Sequence, residues 1–255
     1  MVNFVGAGPG AADLITVRGQ KLLKEADVII YAGSLVNPEH LKLAKPGCQI
    51  YNSASMTLEE VIAVMKDAEA QGKMTVRLHS GDPSIYGAIR EQMDLLEQSG
   101  IEYDVVPGVS SCFGAAASLK AEYTLPDITQ TVIITRMEGR TPVPEKEEIS
   151  LLAQHQATMV IFLSTGLLEP LRERLLIGGY QGDTPAAIVY KATWPDEKIF
   201  RCTVDTLPQV ARENGITKTA LIVVGKFLGD SYDRSKLYDP VFTHEFRAAS
   251  KQDKR

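Results

Sequence analysis

The sequence predicts an α/β protein: two α/β domains of similar size with a cleft between them, an N-terminal sheet that is mostly parallel and a C-terminal sheet that is mixed. Three observations lead there. Short apolar runs alternate with stretches whose apolar residues recur every three or four positions, as in a parallel sheet covered on both faces. Several first-half runs end directly in glycine. After about residue 120 the β-branched runs crowd together, and those flanking Trp194-Pro195-Asp196-Glu197 are close enough to pair.

Taken in order, residues 2–5 form the first strand and run into Gly6-Ala7-Gly8-Pro9-Gly10. The first good helix cap is Thr16, ahead of Val17, Leu22 and Leu23. Further strands are expected at 28–31, 49–51, 74–79 and 102–106. Thr57 and Glu60 form a capping box for a helix carrying Leu58, Val61, Ile62, Val64 and Met65. Ser84 is placed to cap a helix, with Asp82 just outside it where the macrodipole favours an anion. Gly114-Ala115-Ala116-Ala117-Ser118 reads as a closely packed helix. Second-half strands fall at 131–136, 158–163, 186–191, 198–203 and 220–224, with a polar, proline-containing loop at 138–144. The expected divisions are 1–118, 119–230 and a C-terminal arm or tail at 231–255, with 231–246 docking and 251–255 frayed.

Composition narrows the class. Of 255 residues, 44% are hydrophobic and 23% charged, which is ordinary for a soluble domain pair. No run is long enough to span a membrane, and the N-terminus lacks the order of a signal peptide, so a cytoplasmic location is expected. The 3 cysteines, Cys48, Cys112 and Cys202, lie far apart and read as buried, reduced thiols. His40, His79, His155 and His244 are isolated from one another and from the cysteines, so no metal site is expected. A net charge of −5 argues against a general nucleic-acid binder.

The chemistry is concentrated in turns that follow strands. Gly6, Gly8 and Ala11 fit a dinucleotide fingerprint. Two features oppose that reading. Pro9 removes an amide where phosphates would sit and the helix cap comes late, at Thr16. No acid follows the second strand, because Asp27 lies at its wrong end. Gly81-Asp82-Pro83 and Val106-Pro107-Gly108-Val109-Ser110-Ser111 form two more glycine turns, expected on the same sheet edge, where α/β proteins bind ligands. The glycines of the first turn are expected to leave room for a bulky ligand.

Gly6-Ala7-Gly8-Pro9-Gly10 with Asp13-Leu14-Ile15-Thr16, and the two later glycine turns, resemble the signature turns of the tetrapyrrole methylase family. Thr129-Gln130-Thr131-Val132-Ile133-Ile134-Thr135-Arg136, Glu138-Gly139-Arg140-Thr141-Pro142-Val143-Pro144 and Tyr190-Lys191-Ala192-Thr193-Trp194-Pro195-Asp196-Glu197 resemble the branch that methylates C11 of precorrin-4 or its cobalt form. The resemblance implies S-adenosyl-L-methionine as methyl donor, an anionic reduced tetrapyrrole as substrate, a role in cobalamin biosynthesis and a homodimer. It maps donor contacts onto Pro9, Gly81, Asp82, Pro83, Ile85, Ser110, Ser111, Leu163, Ala192 and Ala220. Substrate carboxylates call for cations, so Arg77, Arg136, Arg140 and Lys191 are substrate candidates, with Gly8 and Gly10 beside them. His79 and Tyr86 are the candidate proton-transfer residues. The alternatives are a methylase of the same fold acting on another position, a dinucleotide oxidoreductase and a non-catalytic scaffold.

Overall fold

The computed structural model describes residues 1–230 and 232–250; the expected arm boundary at Ser231 and the expected frayed end at 251–255 lie outside the described residues. The chain divides into two compact units. The first comprises Met1–Ser118 together with Lys191–Lys198, and the second Leu119–Tyr190 with Ile199–Arg255.

In the first unit five strands, β1 (Val2–Gly6), β2 (Val28–Tyr31), β3 (Gln49–Asn52), β4 (Thr75–His79) and β5 (Tyr103–Val106), form a parallel sheet in the order β3-β2-β4-β1-β5. The central strands β1 and β4 are buried throughout, which is why they read as continuous apolar runs rather than alternating ones. Their side chains still alternate between two cores. Val5, Ile29 and Leu78 face one side with Leu23 of α1 (Val17–Glu25). Phe4, Ile30 and Val28 face the other, with Met65 of α2 (Leu58–Ala70) and Leu96 of α3 (Arg90–Gln98). The Thr57–Glu60 capping box is present at the start of α2. The small-residue helix is α4 (Ser111–Leu119).

The second unit carries β6 (Val132–Arg136), β7 (Thr158–Phe162), β8 (Pro185–Tyr190), β9 (Lys198–Thr203) and β10 (Ala220–Val224), in the order β6-β7-β10-β8-β9. β6 runs parallel to β7, while β10 is antiparallel to both β7 and β8, so this sheet is mixed. Its core joins Met159, Ile161, Ile188 and Ile222 to Ala153 of α5 (Ile149–Ala153), Leu171 of α6 (Leu168–Ile177) and Leu207 of α7 (Leu207–Glu213). Within residues 232–250, Arg247 donates to the carbonyls of Leu237 (2.8 Å) and Asp239 (2.7 Å), folding that segment on itself. Among the described residues no helix is long and apolar enough to cross a membrane.

Candidate functional site: three interlocked glycine turns

The strand order makes β4, β1 and β5 neighbours, so the turns that leave their C-terminal ends meet. The contact is backbone on backbone. Gly8 and Gly81 exchange hydrogen bonds, Gly81 N–H to Gly8 O at 2.8 Å and Gly8 N–H to Gly81 O at 3.2 Å. A Cβ on Gly6 would lie 2.6 Å from Gly108 Cα, and one on Gly108 would lie 2.2 Å from Gly81 O. Glycine here lets three main chains approach closely.

Asp82 joins two of these turns. Its Oδ2 accepts from Gly108 N–H at 2.8 Å, and Oδ1 accepts from the N–H (2.8 Å) and hydroxyl (2.5 Å) of Ser84. Burial works against its charge, but the bonds from Ser84 and Gly108 outweigh it and hold the carboxyl below its ordinary range. The expected helix cap at Ser84 is corrected: Ser84 donates to Asp82 within a turn, and α3 begins only at Arg90. Between them Tyr86 (φ +55°) and Ala88 (φ +49°) adopt left-handed backbone, and Gly87 leaves no room for a Cβ, which would sit 2.1 Å from Pro83 O. Left-handed non-glycine residues of this kind gather at functional loops.

The first glycine turn is packed by the chain itself, which corrects the expectation that its glycines leave space for a ligand. A Cβ on Gly8, whose φ is +83°, would lie 2.9 Å from Leu14 O, and one on Gly10 would lie 2.1 Å from Trp194 Cδ1. Gly114 of α4 is small for the same reason, with Pro9 Cβ at 2.7 Å from its would-be Cβ. The late cap holds: Thr16 Oγ1 accepts from Gly19 N–H at 3.1 Å, and a 3-10 turn at Ala12–Leu14 separates the glycines from α1. Without helix amides at the glycines, the dinucleotide reading loses its phosphate site.

Several candidates change role. Arg77 is buried; its Nε donates to Gln92 Oε1 (3.1 Å) and its Nη1 to Ile30 O (3.2 Å), bonds that brace the sheet. Burial lowers its pKa to about 10. His79 is 4% exposed, and burial reinforced by the Arg77 charge lowers its pKa to about 3, which favours the neutral imidazole. Arg136 donates to the carbonyls of Met137 (3.1 Å), Thr141 (3.2 Å) and Pro142 (2.7 Å), so it shapes the loop after β6. Arg140 on that loop is exposed. Lys191 pairs with Asp196 at 2.6 Å and lies 5.3 Å from the centre of the Trp194 ring.

Pro9, Gly81, Pro83 and Ser110 are buried around the interlocked turns, with Ile85 and Ser111 partly exposed beside them. Ala192 is buried in the same unit, its carbonyl 2.8 Å from where a Gly10 Cβ would stand. In the second unit Leu163 is 67% exposed with a φ of +53°, and Ala220 O accepts from the Thr165 hydroxyl at 3.0 Å. Cys112 is buried and Cys48 and Cys202 partly so; burial pushes the Cys202 thiol up to about 12.

Two further residues support the first turn: Asn37, which the sequence did not single out, and His40, which it offered only as an isolated histidine. Asn37 Nδ2 donates to Gly10 O at 2.7 Å, and the fully buried His40 bonds the backbone of Ala7. The signal for Asn37 was the Asn37-Pro38 pair, a helix-cap dipeptide.

The family model for tetrapyrrole (corrin/porphyrin) methylases matches residues 1–208. The cobalt-precorrin-4 C(11)-methyltransferase of Methanocaldococcus jannaschii is 56% identical over 98% of this chain and 97% of its own. That of Priestia megaterium is 51% identical over 98% of each. The X-ray structure of a cobalt precorrin-4 methyltransferase superposes with a TM-score of 0.88 at 51% identity, covering 90% of this chain and 96% of that one. A Thermus thermophilus uroporphyrin-III C-methyl transferase complexed with S-adenyl homocysteine gives a TM-score of 0.72 at 26% identity, covering 89% and 92%. By sequence and by fold, this chain belongs to the tetrapyrrole methylase family.

Proposed function

We propose that this protein is an S-adenosylmethionine-dependent C-methyltransferase that methylates C11 of cobalt-precorrin-4, giving cobalt-precorrin-5 in corrin-ring biosynthesis. The observation that carries the reading is the full-length identity of 56% and 51% to two cobalt-precorrin-4 C(11)-methyltransferases. Relatives named for the cobalt-free substrate, such as that of Mycobacterium tuberculosis, stand at 44%, which favours the cobalt form.

The interlocked turns fit a cationic donor. Asp82 is held ionised and accepts three hydrogen bonds, while a carboxylate accepts about four, leaving capacity for a positive group. When bound, S-adenosylmethionine supplies an electrophilic methyl group and leaves as the neutral thioether S-adenosylhomocysteine. Pro9, Gly81, Asp82, Pro83, Ile85, Ser110, Ser111 and Ala192 are the proposed donor-binding residues of the first unit. Leu163 and Ala220 stay candidates on the resemblance. Gly8 and Gly10 stay substrate-side candidates on the resemblance. Arg140 and Lys191 are the remaining cationic candidates for the substrate carboxylates. No side chain is assigned as a base, and Tyr86, 46% exposed on the 82–88 loop, is proposed as a wall residue. The residues' task is alignment, which can lower a barrier by about 7 kcal/mol or more. A cytoplasmic homodimer completes the proposal.

The test is direct. Purified protein is incubated with isotope-labelled S-adenosylmethionine and either cobalt-precorrin-4 or precorrin-4, and the new methyl is located by NMR. Label at C11, transferred faster to the cobalt substrate, is expected; label at another ring carbon refutes the assignment.

A further inference from the structure

We infer that the segment between β8 and β9 is a clamp on the first glycine turn, and that Trp194 is a positioning residue for the methyl donor. Although its flanking strands belong to the second unit's sheet, Lys191–Lys198 belongs to the first unit. Its side chains take up the polar groups of the first turn one after another. Trp194 Nε1 donates to Pro9 O at 3.2 Å, and Ala11 N–H donates to Thr193 Oγ1 at 3.0 Å. Asn37 holds the carbonyl between them, that of Gly10. The indole also fills the space over Gly10, where even a methyl group would overlap it. Thus the conformation of Pro9 and Gly10 is set by a residue far away in sequence.

The segment is built to hold that shape. Lys191 (φ +48°) and Thr193 (φ +68°) both adopt left-handed backbone, which a β-branched residue such as threonine strongly resists. Glu197 compensates: its Oε2 accepts from Thr193 N–H at 2.5 Å and from the Ser118 hydroxyl at 2.5 Å, tying the turn to the end of α4. Lys191 crosses back to Asp196 over the indole face. A strained turn fixed at both ends, with a large rigid ring as its contact surface, suits holding a loop in one geometry.

The inference rests on the proposed placement of the donor at Pro9 and the neighbouring turns. Calorimetric titration with S-adenosylhomocysteine separates the two. The intact chain should bind it; no binding would remove the donor reading and the positioning role together. With binding established, Trp194→Phe, which keeps an aromatic ring but loses the indole N–H and its bond to Pro9 O, should weaken affinity about fivefold. Trp194→Ala should weaken it about thirtyfold or more, with a matching rise in the donor KM. Gly10→Ala should be damaging in the wild-type background and less so beside Trp194→Ala, because losing the indole relieves the 2.1 Å overlap while the Ala192 carbonyl, 2.8 Å from the new methyl, stays. Equal affinity of folded Trp194→Phe and wild type, or the same penalty for Gly10→Ala in both backgrounds, overturns the clamp.

Discussion

At the residue scale, Arg77 and His79 stand two positions apart on β4, where burial and mutual repulsion disfavour charge on both. The arginine keeps its proton and the histidine gives up its own, because desolvation and a neighbouring cation act on it in the same direction. The consequence is a pH dependence with a definite sign. In the unfolded chain imidazole titrates near 6.5, whereas in the fold His79 stays neutral down to about 3. Between those values the unfolded state binds the extra proton, so stability falls as pH is lowered through 6.5; at pH 5 the loss is about 2 kcal/mol. Buried His40 shifts in the same direction and adds to it. Urea unfolding at pH 7 and pH 5 should therefore show a smaller drop in His79→Leu than in wild type, by about 2 kcal/mol. Equal drops would mean that His79 is protonated in the fold. The sequence revealed that His79 and Arg77 lie beside a glycine turn. It could not reveal that both face inward, because a strand buried on both sides offers no alternation from which to read direction.

At the element scale, the sheets were largely legible and the turns only partly so. Each expected strand is present, since runs of β-branched residues bounded by glycine and proline have few other uses. The Thr16 and Thr57 caps are present because a cap is a local hydrogen bond. The helix expected after Ser84 is replaced by a tight loop, because Asp82 engages Ser84 and Gly108 instead of the macrodipole of a helix, a tertiary bond invisible in local sequence. The meaning of the glycines was also tertiary. At Gly108 an added Cβ would meet two backbones, Gly81 O at 2.2 Å and Gly6 Cα at 2.7 Å, neither of which can rotate away. Gly108→Ala should therefore cost about 3 kcal/mol in thermal unfolding. Gly100→Ala is the control: its φ is +66° but nothing lies within 4 Å of the new methyl, so only the backbone penalty of about 1 kcal/mol applies. Similar losses for the two variants would show that the interlocked turns can spread apart at little cost.

At the scale of the whole molecule, the two units are discontinuous in sequence, and that topology links their stabilities. Both ends of the 191–198 segment continue into neighbouring strands of the second unit's sheet. While that sheet is folded, the segment is a short closed loop presented to the first unit at high effective concentration; once it opens, the same residues belong to a long flexible chain. Weakening the second core should thus loosen the clamp without touching the first. Leu171 is fully buried among the helices and sheet of the second unit, and Leu171→Ala should lower its stability by about 3 kcal/mol. Two backbone amides then serve as reporters. Ala11 N–H is held by Thr193 of the clamp, whereas Ala7 N–H is held by His79 O inside the first sheet. In native-state hydrogen exchange of Leu171→Ala, the Ala11 amide should exchange on the order of a hundredfold faster, the factor corresponding to that free energy, while Ala7 keeps most of its protection. Unchanged exchange at Ala11 would mean that Trp194 and Glu197 hold the segment in place without the second sheet. Acceleration at Ala7 as large as at Ala11 would instead mean that the two units open as a single cooperative body.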